Sequence, residues 1–169
     1  MRKYLLGDPR FHLIKKKGRL ITNMWCQREF KNLQIATKAK VDCPKPISFK
    51  ENILVMSFIG ENGEVAPRLI DIIPENPEKI YKIIIQNIEK LTKAGLVHGD
   101  LSAYNILLSK KPYFIDFSHG TTAKSQLAPQ LLKRDIKNIN TYFNKLNVAV
   151  KDSNALYGRL IKFIEGKKQ

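Results

Sequence analysis

A mixed α+β fold, mainly helical in its second half, follows from three features of the 169-residue sequence. Apolar residues recur at helical spacing in four stretches. Between these lie short runs rich in β-branched and aromatic residues, bounded by turn formers. One further stretch, His98 to Asn105, has neither periodicity and carries polar residues at fixed offsets. The length suits one domain with a real core and is too short for two full ones. Residues 1–169 are therefore read as a single unit, without repeats or low-complexity linkers.

The first helix is expected from about Arg19 to Ala39, with Leu20, Met24, Leu33 and Ala36 as candidate buried positions and Pro44 and Pro46 ending it. Ile47–Phe49 and Ile53–Ile59 then read as two strands joined by the polar turn Lys50-Glu51-Asn52. The Gly60-Glu61-Asn62-Gly63 stretch reads as a turn. In the second helix Asn76 suits the cap and Pro77 the first position, where a missing N–H does no harm. Ile80, Ile83, Ile84, Ile88 and Leu91 make its apolar stripe, and Gly95 closes it. Ile106–Leu108 and Tyr113–Phe117, separated by Ser109-Lys110-Lys111-Pro112, predict a small antiparallel hairpin. Two amphipathic helices finish the chain. One buries Leu132, Ile136, Ile139 and Phe143; the other, capped by Ser153, buries Leu156, Leu160 and Ile164.

Composition narrows the classes of function. A hydrophobic fraction of 43% and a charged fraction of 27% are those of an ordinary globular chain, which excludes a disordered or fibrous one. No apolar run reaches membrane-spanning length, and MRKYLLGDPRF offers no signal-peptide core. Cys26 and Cys43 lie far apart with no histidines nearby, fitting neither a zinc site nor a disulfide framework. A cytoplasmic protein without membrane contact is expected. Thirty Lys+Arg against fifteen Asp+Glu give a net charge of +15, a bias towards polyanionic partners such as RNA or ribosomes. A solvated basic surface, including Lys15–Lys17 and the Gly166–Gln169 tail, is the simpler explanation of the same number.

Three polar residues carry the chemistry. Asp100 lies in a non-helical stretch, Asn105 follows five residues later, and Asp116 interrupts an apolar run where an unpaired carboxylate is costly. Phosphoryl transfer needs a carboxylate to orient and deprotonate the attacking hydroxyl, and oxygen ligands for the magnesium that neutralises the phosphates. The order H-x-D-x-x-x-x-N followed by a hairpin bearing a second Asp meets both needs. It stands here as His98-Gly99-Asp100-Leu101-Ser102-Ala103-Tyr104-Asn105 and then Ile115-Asp116-Phe117-Ser118.

With these residues in place the chain resembles the RIO kinases, atypical serine/threonine kinases of small-ribosomal-subunit maturation, and within them the archaeal RIO-one branch. LVHGDLSAYNILL is similar to their catalytic loop, and Ile-Asp-Phe-Ser to the end of their metal-binding hairpin. WCQREFKNLQIA resembles helix C, PKPISFKENILVMSFIG the hinge hairpin, APRL the segment after it, and RDIKNINTYF a C-lobe helix. The resemblance implies a protein-kinase-like fold with a remnant N-lobe over residues 1–59 and a mainly helical C-lobe over 60–169. It implies ATP and Mg2+ as cofactors, Asp100 as catalytic base, and Asn105 and Asp116 as metal ligands, Asp116 also being open to phosphorylation. Met56 would be the gatekeeper, Ser57, Phe58 and Ile59 the adenine-bonding hinge, and Glu29 the helix C acid that pairs with a nucleotide-binding lysine.

The pattern departs from the family in three places. Met1-Arg2-Lys3-Tyr4 resembles a stretch just before helix C, so the three strands that carry the phosphate loop and that lysine have no counterpart here. HGTTAKSQLAPQLL replaces a His-Pro-containing segment, and Ala103 stands where an acid is common. Several readings stay open: a RIO-type kinase or ATPase acting on pre-small-ribosomal-subunit rRNA or proteins; one half of a split kinase completed by an N-terminal fragment; and a catalytically impaired module bound to rRNA. Small-molecule phosphotransferases, which also use HGDL…N…IDF, lack the matching helix C and C-terminal helices.

Overall fold

The structure is a computed structural model that describes residues 18–166; Met1–Tyr4, Lys15–Lys17 and the last three residues lie outside the described set, as does the side chain of Leu20. Helix α1 spans Gly18–Lys38. Leu33 and Ala36 are buried as the stripe requires, and Met24 is half-buried. Lys40, at φ 57°, turns the chain out of the helix towards strand β1, Pro46–Lys50. Strand β2, Ile53–Met56, pairs antiparallel with β1 through a bulge between Pro46 and Ser48.

The second strand is shorter than its apolar run suggests. It stops at Met56 because Ser57 turns back on the chain: its N–H donates to the Lys45 carbonyl, and its hydroxyl accepts from the Lys45 N–H. The alternation along the hairpin is clear. Phe49 and Leu54 pair and face α1, where the Phe49 and Phe30 rings lie 4.8 Å apart. Ile53 and Val55 face the other way and remain 63% and 45% exposed, as does Ile47 at 63%. The glycine-containing stretch that follows is a second, tiny hairpin. Strands β3 (Gly60–Glu61) and β4 (Glu64–Val65) flank a two-residue turn at Asn62 and Gly63, both with positive φ.

Helix α2, Pro77–Lys93, begins as its sequence predicts, with the Asn76 side chain accepting from the Lys79 N–H. It buries Ile84, Ile88 and Leu91 fully and leaves Ile80 and Ile83 half-buried. At roughly 1.5–3 kcal/mol for each fully buried aliphatic side chain, this face anchors the C-terminal half. Gly95, at φ 80°, closes the helix. Strands β5 (Leu96–Val97) and β8 (Thr121–Thr122) pair antiparallel, as do β6 (Ile106–Leu108) and β7 (Pro112–Phe114). The predicted strand to Phe117 is cut short, because Phe117–His119 form a 3-10 turn.

Helix α3 spans Ala128–Lys145 and buries the four predicted residues. Helix α4, Ser153–Glu165, buries Leu156, Leu160 and Ile164, but Asp152 rather than Ser153 caps it, accepting from the Ala155 N–H. Helices α2, α3 and α4 form one packed layer with a continuous core. The β5–β8 and β6–β7 pairs sit between this layer and α1, and they carry the polar loop. No described helix is long and apolar enough to cross a membrane.

Candidate active site

His98-Gly99-Asp100 leaves β5 on a backbone that the core fixes tightly. Gly99 has φ 80°, and a Cβ there would lie 2.7 Å from the His119 carbonyl oxygen, so only glycine fits. The Asp135 carboxylate, buried on α3, accepts from the N–H groups of Gly99 at 2.8 Å and Leu101 at 2.9 Å. Burial pushes the Asp135 carboxyl up to about 7 in spite of those two donors. Asn138, one turn further, donates to the Leu101 carbonyl. His98 is fully buried; its Nε2–H donates to the Ile115 carbonyl, and desolvation lowers its pKa to about 4, so the ring is neutral.

This scaffold presents Asp100 with nearly half of its side chain exposed. Asn105 Nδ2 donates to the Asp100 carbonyl at 2.8 Å and to Asp100 Oδ2 at 3.3 Å. The opposite oxygen, Oδ1, lies 3.5 Å from Arg134 Nη2, and the same guanidinium donates to the Gly99 carbonyl. Asn105 is tied in turn to the β6–β7 hairpin, its carbonyl accepting from the Ile115 N–H at 3.0 Å. The next residue is Asp116.

Asp116 is not the buried carboxylate that its apolar neighbours suggest. It is exposed and left-handed, at φ 59° and ψ 69°, just past the end of β7. The Ser118 N–H and hydroxyl both donate to its Oδ1. An aspartate held at positive φ by a short local bond is aimed by its backbone, not by packing.

Helix α1 holds the turn that follows. Arg28 Nε donates to the Gly120 carbonyl at 3.0 Å. Asn32 Nδ2 donates to the carbonyls of Phe117 at 2.8 Å and Gly120 at 3.0 Å. The Glu29 carboxyl lies between them, taking the Phe117 N–H. Burial first, and then the Asp116 charge, push it up to about 7. Trp25 meets the His119 ring edge-on at 5.1 Å.

Glu29, Asp116 and the hinge residues Met56, Ser57, Phe58 and Ile59 line one open cleft of about 610 Å³, with Pro44, Leu107 and Ile115. At the hinge the Ser57 N–H and Ile59 carbonyl are already bonded, to Lys45 and Ala66. The Ser57 carbonyl and Ile59 N–H have no backbone partner among the described residues. The geometry thus bonds Asn105 to Asp100 and to the Ile115 backbone that precedes Asp116, and sets Glu29 and the hinge beside Asp116.

Oxygen donors of this kind suit magnesium, which is held through one or two carboxylates and completed by phosphate and water. With the Asn105 NH2 committed to Asp100, its Oδ1 is left to act as a ligand beside the Asp116 carboxylate. Sequence reasoning missed Asp135, Arg134, Arg28 and Asn32. A signal was there: Asp135 shares the buried face with Leu132, Ile136 and Ile139, and Arg28 and Asn32 are one turn apart beside Leu33 and Ala36.

Similar folds are known. The Rio2 kinase of Chaetomium thermophilum matches at a TM-score of 0.74 and 22% identity, over 94% of this chain and 53% of that one. The same enzyme in an ADP/Mg2+–phosphoaspartate complex matches at a TM-score of 0.70 and 20% identity, over 95% and 56%. The fold is therefore that of the kinase-like α+β class. The RIO domain model matches residues 1–156. The RIO-type serine/threonine-protein kinase Rio1 of Methanocaldococcus jannaschii is 45% identical over 99% of this chain and 57% of its own length. Its namesake in Thermoplasma acidophilum is 40% identical over 86% of this chain and 77% of its own length. The chain belongs to the RIO family of kinases, and it spans a little over half of the Methanocaldococcus jannaschii protein.

Proposed function

We propose that this chain supplies the catalytic loop, metal ligands and hinge of an ATP-dependent RIO-type serine/threonine kinase or ATPase. The observation that carries this reading is the Asp100–Asn105 pair, bonded through the Ile115 N–H to the residue before Asp116, with Asp116 lining the same cleft as the hinge. Asp100 takes the proton of the attacking hydroxyl. Asn105 and Asp116 hold Mg2+, which would neutralise charge on the phosphates of ATP. The Ser57 carbonyl and Ile59 N–H take the adenine edge beneath Met56 and Phe58. Residues 1–59 act as the remnant N-lobe and 60–169 as the C-lobe.

Two features favour completion by a separate N-terminal kinase fragment. Glu29 is half-buried, raised to about 7, and paired with no cation among the described residues. Beside it the two-stranded β1–β2 sheet leaves Ile47, Ile53 and Val55 exposed, and such a pair is marginal alone. Strands that covered this face and carried a lysine to Glu29 would answer both. Work on the pre-small-ribosomal-subunit particle, in the cytoplasm, fits the net charge of +15. The same charge supports the second reading, a catalytically impaired module on rRNA.

Calorimetric titration with Mg2+–ATP tests the central claim, with Asp116→Ala as control. Binding that Asp116→Ala abolishes is the expected result. Binding indifferent to Asp116 overturns the nucleotide-site reading; absence of binding leaves half of a split kinase or an rRNA module, and adding the missing strands in trans separates the two.

A further inference from the structure

The acceptor side of the site holds a charge that no role assigned above uses. Within His98–Asn105 the loop has no cation of its own: His98 is buried and neutral, and Ser102 stands two residues after Asp100. The cation at this place comes from α3. Arg134 Nη2 is 3.5 Å from Asp100 Oδ1, and its side chain is 39% exposed, so it is neither buried in the core nor loose in solvent. Its bond to the Gly99 carbonyl fixes it to the loop it serves. The adjacent Asp135 grips the same loop through two backbone N–H groups. The guanidinium is therefore set in position before any ligand arrives.

We infer that Arg134 is the acceptor-side cation of this site, contacting the phosphoryl group as it passes from ATP to the hydroxyl held by Asp100. The inference rests on the nucleotide reading above and goes beyond it in naming a residue that touches the transferred group. In that step the acceptor oxygen bonds to the γ-phosphorus and the bond to the bridging oxygen breaks. The electron pair leaves with ADP, and the acceptor proton goes to Asp100. Charge spreads over three equatorial oxygens on the way.

A hydroxyl bonded to Asp100 lies about 2.8 Å from it, with phosphorus about 3 Å beyond. A guanidinium anchored 3.5 Å from the same carboxylate is within reach of an equatorial oxygen. Asn105 occupies the other carboxylate oxygen, so the two neighbours of Asp100 divide the work. One faces the metal side and the other the acceptor side. The planar fork of arginine suits this role better than a flexible ammonium.

Aluminium fluoride with Mg2+–ADP, which imitates the transferring phosphoryl group, provides the test without requiring turnover. The full chain is titrated by calorimetry with Mg2+–ADP, with and without aluminium fluoride. Wild type is expected to bind the fluoride complex at least about tenfold tighter, an effect of the size of one charge-assisted contact. In Arg134→Ala that gain disappears while Mg2+–ADP affinity stays within about threefold, and free guanidinium in the tens of millimolar restores part of it. Arg134→Lys retains part of the gain. Should the alanine variant fail to fold, Arg134→Gln, close in size, gives the same comparison. A structural brace alone would lower thermal stability and leave the fluoride gain and its rescue untouched. That outcome, or a wild-type protein that binds Mg2+–ADP without any fluoride gain, overturns the inference alone. Wild type binding no Mg2+–ADP, alone or with the missing N-terminal strands added in trans, overturns the nucleotide-site reading and this inference with it.

Discussion

Asp100 owes its exposure to residues that bury themselves on its behalf. Asp135 holds the loop from below, Asn105 orients one oxygen, and the side chain is left open to an acceptor. Replacing it with Asn keeps these contacts and removes the base, so Asp100→Asn should lower the chemical step by roughly 10²–10⁴ while leaving Mg2+–ATP binding intact. Single-turnover kinetics on the assembled enzyme would show this, and full activity in Asp100→Asn would refute the assignment. Glu29 gives a prediction of the opposite character, about stability. Its folded pKa of about 7 stands above the ordinary 4.5, so the folded state holds a proton that the unfolded state has lost. The stability that goes with it is complete below pH 4.5 and lost as pH rises through about 7. Glu29→Gln keeps an acceptor for the Phe117 N–H and cannot ionise. It should match wild type near pH 4.5 and exceed it by about 1–3 kcal/mol at pH 8. Parallel melting curves at the two pH values, if found, would refute the buried acid.

At the scale of elements, α1 is the brace of the Phe117–Gly120 turn. Three of its residues bond the backbone of Phe117–Gly120, and a Cβ at Gly120 would come within 2.6 Å of Asn32 Nδ2. Asn32→Ala removes two buried bonds but leaves the Gly120 carbonyl to Arg28 and the Phe117 carbonyl to the Gly120 N–H, so denaturant unfolding should report a loss of about 1–2 kcal/mol. A change below about 0.5 kcal/mol would mean that water replaces the amide. Elements of this kind divide what a sequence discloses from what it hides. Helices α2, α3 and α4 were legible because their apolar stripes bury against one another and little else decides them. Loop spacing singled out Asp100, Asn105 and Asp116, and the fold brings them close, with Asn105 bonded to Asp100 and to the backbone before Asp116. Two strand ends were read too far, at Ile59 and Phe117, since apolar runs continue where Ser57 and the 3-10 turn redirect the backbone. The exposure of Asp116 was misread for the same reason. The helical pattern sets Asp135, Arg28 and Asn32 beside buried apolar positions, but the backbone that they and Arg134 bind lies many residues away, which local patterning does not encode.

Over the whole molecule, one half has a complete core and the other is open. The C-terminal helices close on themselves, whereas β1–β2 meets α1 on one face only. If strands from another chain cover the remaining face, adding them should raise the melting temperature of this chain and sharpen Asp116-dependent ATP binding. Ile53→Lys, on the outward face, should abolish both effects while changing the stability of the isolated chain by no more than about 0.5 kcal/mol, as exposed substitutions do. Co-purification of the fragment with the Ile53→Lys chain at undiminished affinity would rule this face out.

The open margin of β2 has a kinetic side as well. An edge strand that carries exposed Ile53 and Val55 offers the same template to a sister copy as to a foreign sheet. Encounters between copies grow with the square of their concentration, whereas encounters with a partner grow with the product of the two. The balance of synthesis therefore decides which pairing comes first. If another chain covers this face, a cell making this polypeptide in excess of it would accumulate clumped copies, and one making the covering chain in excess would keep the hairpin covered from the moment it folds.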